Sequence, residues 1–372
     1  MKFINLDQQY RKIEKTVKAN IDKVLEHGQF ILGPEVQLLE QKLADHIGVK
    51  HCITVANGSD ALLVSMLALD IKAGDEVIVP AFTFIATAEM VSLIGAKPIF
   101  IDIDPETYNL DPEKIEAAIT AKTKAIMPVS LYGQCADFDA INTIAQQYNL
   151  AVIEDGAQSF GATYKGKPSC NLSLIGCTSF FPTKPLACYG DGGACFTNDD
   201  DIAEKIRELR VHGQARRYHH TSIGINSRLD TIQAAVLLAK LEIFTQEIER
   251  RRENAEIYNQ RLKDYVKVPK IRNYNESAFA IYTIETKQRD RLQKTLHERG
   301  IPTAVHYPLP LNLQPAFAEN HQSLQVPTAQ YVAEHVLSLP LDPYFTAAEL
   351  HQVADAIIEH LSIHASRHSV VA

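Results

Sequence analysis

Residues 51–63 read HCITVANGSDALL. An apolar run, HCITVA, gives way at Asn57-Gly58 to Ser59-Asp60 and then to helix-forming Ala and Leu, an order that spells strand, turn and helix N-terminus. At such a junction the free N–H groups and the positive end of the helix dipole converge on one point, which suits a phosphate. Plain helix capping by Ser59 or Asp60 explains the same residues, so this stretch alone leaves both readings open.

Outward from that junction the pattern repeats. Apolar runs recur at EVIVP (76–80), KPIFID (97–102), KAIMPVS (124–130), LAVIED (150–155) and LIGCTSF (174–180), separated in most cases by helix-length segments such as SDALLVSMLALD and DPEKIEAAIT. Strands alternating with helices imply an α/β domain with a mostly parallel sheet covered on both faces. Beyond about residue 236 the texture changes. LDTIQAAVLLAKLEIFTQEIERRRENAEIYNQRL reads as one long amphipathic helix connecting two domains, and AFAIYTIET reads as a strand. The helix after that strand stops at Gly300 with Pro302 just beyond. A last helix opens at Thr346 and Glu349 with capping-box spacing. The expected division is a large domain over 1–236 and a small α+β domain over 237–372. The final ASRHSVVA carries no periodicity and is expected to lack regular structure.

Composition narrows the function classes. The 372 residues, 46% hydrophobic and 22% charged, are those of a globular protein, and a formal charge of −8 argues against a nucleic-acid binder. No run reaches the roughly 18 apolar residues of a membrane span. The polar start MKFINLDQQYRKIEK lacks a signal-peptide core, so the cytosol is expected. The six cysteines, Cys52, Cys135, Cys170, Cys177, Cys188 and Cys195, show no metal-ligand spacing with histidine and read as reduced, buried residues.

Two further stretches carry chemistry. In LAVIEDGAQSFG, Glu154 and Asp155 close a buried strand, where open α/β sheets place their ligands; neighbouring strand residues face opposite ways, so only one acid meets a given ligand. Asp155, followed by Gly156 and Ala157, is the less crowded, though taken alone this stretch favours a helix cap over a ligand contact. In TSFFPTKPLACYGDGGACF, Lys184 stands between Pro182 and Pro185, just before a glycine-rich turn; taken alone it fits a solvated loop lysine as well as one whose amine is chemically used. A lysine, a carboxylate and an anion site together match the needs of pyridoxal phosphate: an amine for a Schiff base, an acid to keep the ring nitrogen protonated, and a phosphate seat. A free lysine with a pKa of about 10.4 is neutral on the order of one time in a thousand at pH 7, so Lys184 needs a site that depresses that value.

ANGSDAL, FTFIATAEM, VIEDGAQSFGA, SFFPTKPLACYGDGGA and HGQ…NSRLD, in this order, resemble the sugar aminotransferases of the DegT/DnrJ/EryC1/StrS family, over a span from HGQFILGPEV near 27 to AVHYPLPL near 304. SLYGQCADFDAI and CNLSLIGCTSFFPTKP look closest to members that aminate the 3-oxo group of a UDP-linked N-acetylhexosaminuronic acid. The resemblance implies the type I aminotransferase fold, a large domain with a mostly parallel seven-stranded sheet plus a small C-terminal domain, and a homodimer with shared active sites. It further implies Lys184 as the Schiff-base lysine, Asp155 on the pyridine nitrogen, Gln158 near the ring hydroxyl and Phe84 stacked on the ring. Gly58, Ser59 and Ser179 would bind the phosphate, joined by Asn226 from the other subunit. Thr183 and Ala187 depart from the serine and glycine usual in close relatives.

Glutamate is the expected amine donor and a nucleotide-linked keto sugar the acceptor. Arg228 suits a bidentate contact with a sugar carboxylate, and His306 and Tyr307 are implied substrate contacts. Arg216, Arg217, His219 and His220 fit either an anion pocket or a solvated loop. A 4-oxo-6-deoxy sugar is the alternative substrate, and a non-catalytic cofactor-binding regulator the more remote alternative.

Overall fold

The computed structural model describes residues 1–317 and 324–368, with the side chains of 364–368 left out of the description. Seven strands form the central sheet: β1 (His51–Val55), β2 (Glu76–Pro80), β3 (Lys97–Ile101), β4 (Thr123–Ile126), β5 (Ala151–Asp155), β6 (Ile175–Ser179) and β7 (Gly193–Thr197). Their order across the sheet is β1-β7-β6-β5-β4-β2-β3. β2 to β6 pair in parallel, while β7 runs antiparallel to both β6 and β1. The first six strands coincide with the apolar runs of the sequence. β7 does not announce itself that way, because GACFT begins inside the glycine-rich stretch; it follows β6 without an intervening helix, which permits the reversed direction.

Alternation along the strands places the cores. Ile53, Val55, Val77, Val79, Ala125 and Ile153 face one apolar cluster, with the helices Gly58–Ala68, Ala86–Leu93 and Asp200–Leu209, whereas Cys52, Ile78, Ile126 and Val152 face a second with Pro34–Ile47 and Phe138–Tyr148. This period of two is what a sheet buried on both faces requires. DPEKIEAAIT forms less helix than its composition suggests: a 3-10 turn at Pro112–Lys114 and four helical residues, Ile115–Ala118.

The helix Thr231–Leu262 is continuous over 32 residues and joins two cores, with Ala234, Leu237, Phe244 and Ile248 in the second cluster and Ala255, Tyr258 and Leu262 in a third. Its opening turns are not one-sided. Val236 and Ala239 pack on Ile13 and Val17 of the helix Leu6–His27, so this part is enclosed rather than amphipathic. The third cluster gathers Tyr282 and Ile284 with Leu337 and Leu339, from the antiparallel pair Tyr282–Glu285 and Val336–Leu339, under the helices Arg289–Glu298 and Ala347–His368.

The last helix opens with the expected capping box, Thr346 N–H donating to Glu349 Oε2 at 2.8 Å and Glu349 N–H to Thr346 Oγ1 at 3.3 Å. It runs to His368, so Ala365–His368 are helical despite their lack of apolar periodicity; residues 369–372 lie outside the described residues. Among the described residues no helix is long and apolar enough to cross a membrane.

Candidate active site

The C-terminal ends of the parallel strands open onto one cavity of about 740 Å³. Gly58 and Ser59 reach it from the turn after β1, Phe84 from the loop after β2, Asp155 from the end of β5, Gln158 from the turn beyond, Ser179 from the end of β6 and Lys184 from the following loop. His306 and Tyr307 close it from the C-terminal part of the chain. Nine of the expected site residues thus line one space, although they span residues 58 to 307 of the chain. Asn226 and Arg228 do not line it. Asn226 is exposed, bridged through its backbone to Val211, and Arg228 is half-buried with its Nε lacking a hydrogen-bond partner among the described residues.

The anion seat is built by close approach. Asn57, rather than Ser59 or Asp60, caps the helix Gly58–Ala68: its side chain accepts the Asp60 N–H at 2.8 Å. The N–H groups of Gly58 and Ser59, first in the helix, have no intrahelical acceptor and stay available. Glycine is required at two places here. A Cβ on Gly58 would lie 2.6 Å from Ser179 Cβ, and one on Gly193 would lie 2.4 Å from the Asn57 carbonyl oxygen. Glycine, serine hydroxyl and helix N-terminus therefore form a cradle that fits a phosphate.

Asp155 is buried, and its two oxygens have assigned donors: Thr87 Oγ1–H to Oδ2 at 2.8 Å and Ala157 N–H to Oδ1 at 3.2 Å. Burial pushes its pKa up, and the Thr87 and Ala157 donors and the Lys184 charge pull against that rise. Glu154 points to the other face, where it accepts from Ser169 Oγ at 2.5 Å and Cys170 N–H at 2.8 Å, and burial raises its carboxyl to about 7. The alternation expected of the two acids therefore holds.

Lys184 sits in a loop tied at its base. Phe180 N–H donates to the Gly192 carbonyl and Cys188 N–H to the Phe180 carbonyl, both at 2.7 Å, and Lys184 N–H meets the Phe181 carbonyl at 2.8 Å. Ala187 is buried within this closed loop, which therefore accommodates a methyl group. Burial lowers the Lys184 pKa, with Asp155 partly restoring it, so more free amine is present than in an exposed lysine.

Around the cavity, Gln158 is committed at both ends, its Oε1 accepting the Tyr132 N–H at 2.7 Å and its Nε2 donating to the Tyr307 hydroxyl at 3.0 Å. Phe84 and Tyr307 approach with ring centroids 6.0 Å apart. His306 Nδ1 pairs with Ser338 Oγ at 2.9 Å, its carbonyl accepts the Tyr132 hydroxyl, and burial, then Lys184, lowers its pKa. Thr87 was not legible as a site residue, and Asn57 was legible as part of the turn but not as the helix cap. Thr87 lies 68 positions from Asp155, and no local pattern links them. Arg216 and His219–His220 lie in an exposed two-stranded hairpin, outside the cavity.

A strand-end carboxylate, a desolvated lysine and a phosphate cradle in one cavity define a lysine-dependent enzyme of the α/β class. The model of the DegT/DnrJ/EryC1/StrS aminotransferase family matches residues 11–358, and the chain belongs to that family. It is 56% identical over 358 residues to the UDP-2-acetamido-2-deoxy-3-oxo-D-glucuronate aminotransferase of Pseudomonas aeruginosa, covering 96% of this chain and 99% of that one. A DegT DnrJ EryC1 StrS aminotransferase from Brucella abortus superposes with a TM-score of 0.95 at 44% identity, covering 97% of this chain and 99% of that one. NtdA from Bacillus subtilis, with bound cofactor PMP, gives a TM-score of 0.89 at 31% identity, covering 97% of this chain and 83% of that one.

Proposed function

We propose that this protein is a pyridoxal-phosphate-dependent aminotransferase that moves an amino group from glutamate to the 3-oxo group of a UDP-linked N-acetylhexosaminuronic acid, for bacterial surface polysaccharide. The observation that carries the reading is the meeting of Lys184, Asp155 and the Gly58–Ser59–Ser179 cradle in one cavity. The substrate comes from the similarity to the Pseudomonas enzyme.

In this reading the N–H groups of Gly58 and Ser59 and the Ser179 hydroxyl hold the phosphate, Phe84 covers the ring, and Gln158 reaches toward the ring hydroxyl. When bound, the cofactor supplies a carbonyl carbon for the amine and a ring that accepts an electron pair. Asp155 keeps a proton on the ring nitrogen. Lys184 Nζ, with its depressed basicity, takes the Cα proton of the amine donor and later returns a proton to the sugar carbon that receives nitrogen. His306 and Tyr307 bound the substrate side.

The chain acts in the cytoplasm as a homodimer, with Asn226 completing the partner's phosphate site and Arg228 pairing with the sugar carboxylate. Supporting this, Asn226 is exposed and outside its own cavity, and the Nε of Arg228 lacks a partner among the described residues. The backbone bridge from Ile31 to Asp230 sets exposed Phe30 and Ile31 beside the same segment. Residues 1–236 form the cofactor-holding domain and 237–372 the small domain; the separate core that begins at Ala255 supports a second domain, while Leu237, Phe244, Ile248, Leu311 and Val332 pack into the two clusters of the large sheet.

The test is amination of UDP-2-acetamido-3-oxo-glucuronic acid, generated in place by a dehydrogenase, with the product located by NMR. New nitrogen at C3 is expected. Amination of a 4-oxo-6-deoxy sugar at C4, with none at C3, would overturn the substrate and leave the aminotransferase standing.

A further inference from the structure

Thr87 lies within FTFIATAEM and touches Asp155, yet it has no role among the site residues expected from the sequence. It is fully buried at the second position of the helix Ala86–Leu93, and its hydroxyl donates to Asp155 Oδ2 at 2.8 Å. The other oxygen receives a backbone N–H, from Ala157 at 3.2 Å. A second hydroxyl stands behind the first: Thr83 Oγ1 lies 3.5 Å from Thr87 Oγ1. Because Thr87 spends its only proton on the carboxylate, Thr83 is the donor in that pair, and the two hydroxyls form a short relay from the cavity wall to Asp155.

We propose that Thr87 is a positioning residue whose hydroxyl holds the Asp155 carboxylate in place for the cofactor's ring nitrogen. This rests on the reading of the protein as a pyridoxal phosphate enzyme. A buried carboxylate with one side-chain donor removed loses both orientation and the support of its charge, and a bond to an ionised group carries roughly a tenfold to a hundredfold effect. Burial already pushes Asp155 toward its neutral form, and Thr87 is the largest of the influences that oppose it. The other titratable groups whose charge Asp155 feels are Lys184 and Tyr307 on the cavity side and Glu154, Cys170 and Cys177 around its strand, all left in place by substitution of Thr87.

Thr87→Val keeps shape and removes the donor, and Thr87→Ser restores it; Thr87→Ala removes the donor without adding a methyl, should Val disturb the fold. Apoprotein is titrated with pyridoxal phosphate by absorbance, and the half-reaction with glutamate is followed in single turnovers from pH 5 to 9. The expected outcome for Val or Ala is cofactor affinity weakened about tenfold, a rate lowered about tenfold or more at unchanged glutamate KM, and an acid limb moved to higher pH. Ser returns all three toward wild type. Wild-type uptake of the cofactor together with unaltered affinity and pH profile in Thr87→Val overturns this inference alone. Failure of the wild type to take up pyridoxal phosphate overturns the functional reading and this one with it.

Discussion

Replacing Gly193 by alanine tests the construction of the phosphate cradle directly. The new methyl would stand 2.4 Å from the Asn57 carbonyl oxygen, 2.5 Å from its carbon and 2.8 Å from Gly58 N, all backbone atoms without a rotamer to yield. Ordinary contact begins at 3.4 Å, so the turn has to retreat by about 1 Å. Two constraints resist this. Gly193 is paired with Val55 across β1 and β7, and the Asn57 carbonyl accepts the Ala61 N–H at 3.1 Å that starts the helix. Overpacking of this kind costs about 1–3 kcal/mol, so the urea midpoint of the apoprotein should fall accordingly. A shift of about 1 Å in binding groups also costs up to about a hundredfold in function, so the dissociation constant for pyridoxal phosphate should rise at least tenfold. Both are read on the same preparation, by denaturation and by absorbance titration. A variant that loses stability but binds the cofactor as wild type does would refute the placement of the phosphate at Gly58 and Ser59.

Lys184→Ala should bind the cofactor yet turn over nothing, and borohydride should fix the cofactor to wild type only; substantial transamination by the variant removes Lys184 from the chemistry. Mixed dimers of Lys184→Ala and Asn226→Ala subunits should regain activity, because one of their two sites is undamaged; verified hybrids without activity sink the shared site. Glu154 has a folded-state carboxyl raised by burial from 4.5 to about 7, so its contribution to stability is full below pH 4.5 and lost as pH rises through about 7. Relative to wild type, Glu154→Gln should therefore gain up to about 3 kcal/mol across that window in urea unfolding, and parallel curves for the two proteins would refute the protonated state of Glu154.

The sequence by itself determined the class of fold and most of the chemistry. Six apolar runs with helical segments between them admit little but a doubly covered parallel sheet, because strand periodicity and element order are local properties. Lys184 between its prolines, the Glu154-Asp155 pair and the Asn57-Gly58 turn were readable for the same reason. What only the tertiary structure decided is which residues meet across long separations: Thr87 with Asp155, Gly193 against Asn57, and Tyr307 beside Phe84 and Gln158. The seventh strand belongs with these, since GACFT becomes a strand through pairing with β6 and β1 on either side. Such contacts arise when the sheet brings strand ends into register, and no pattern within one segment encodes them.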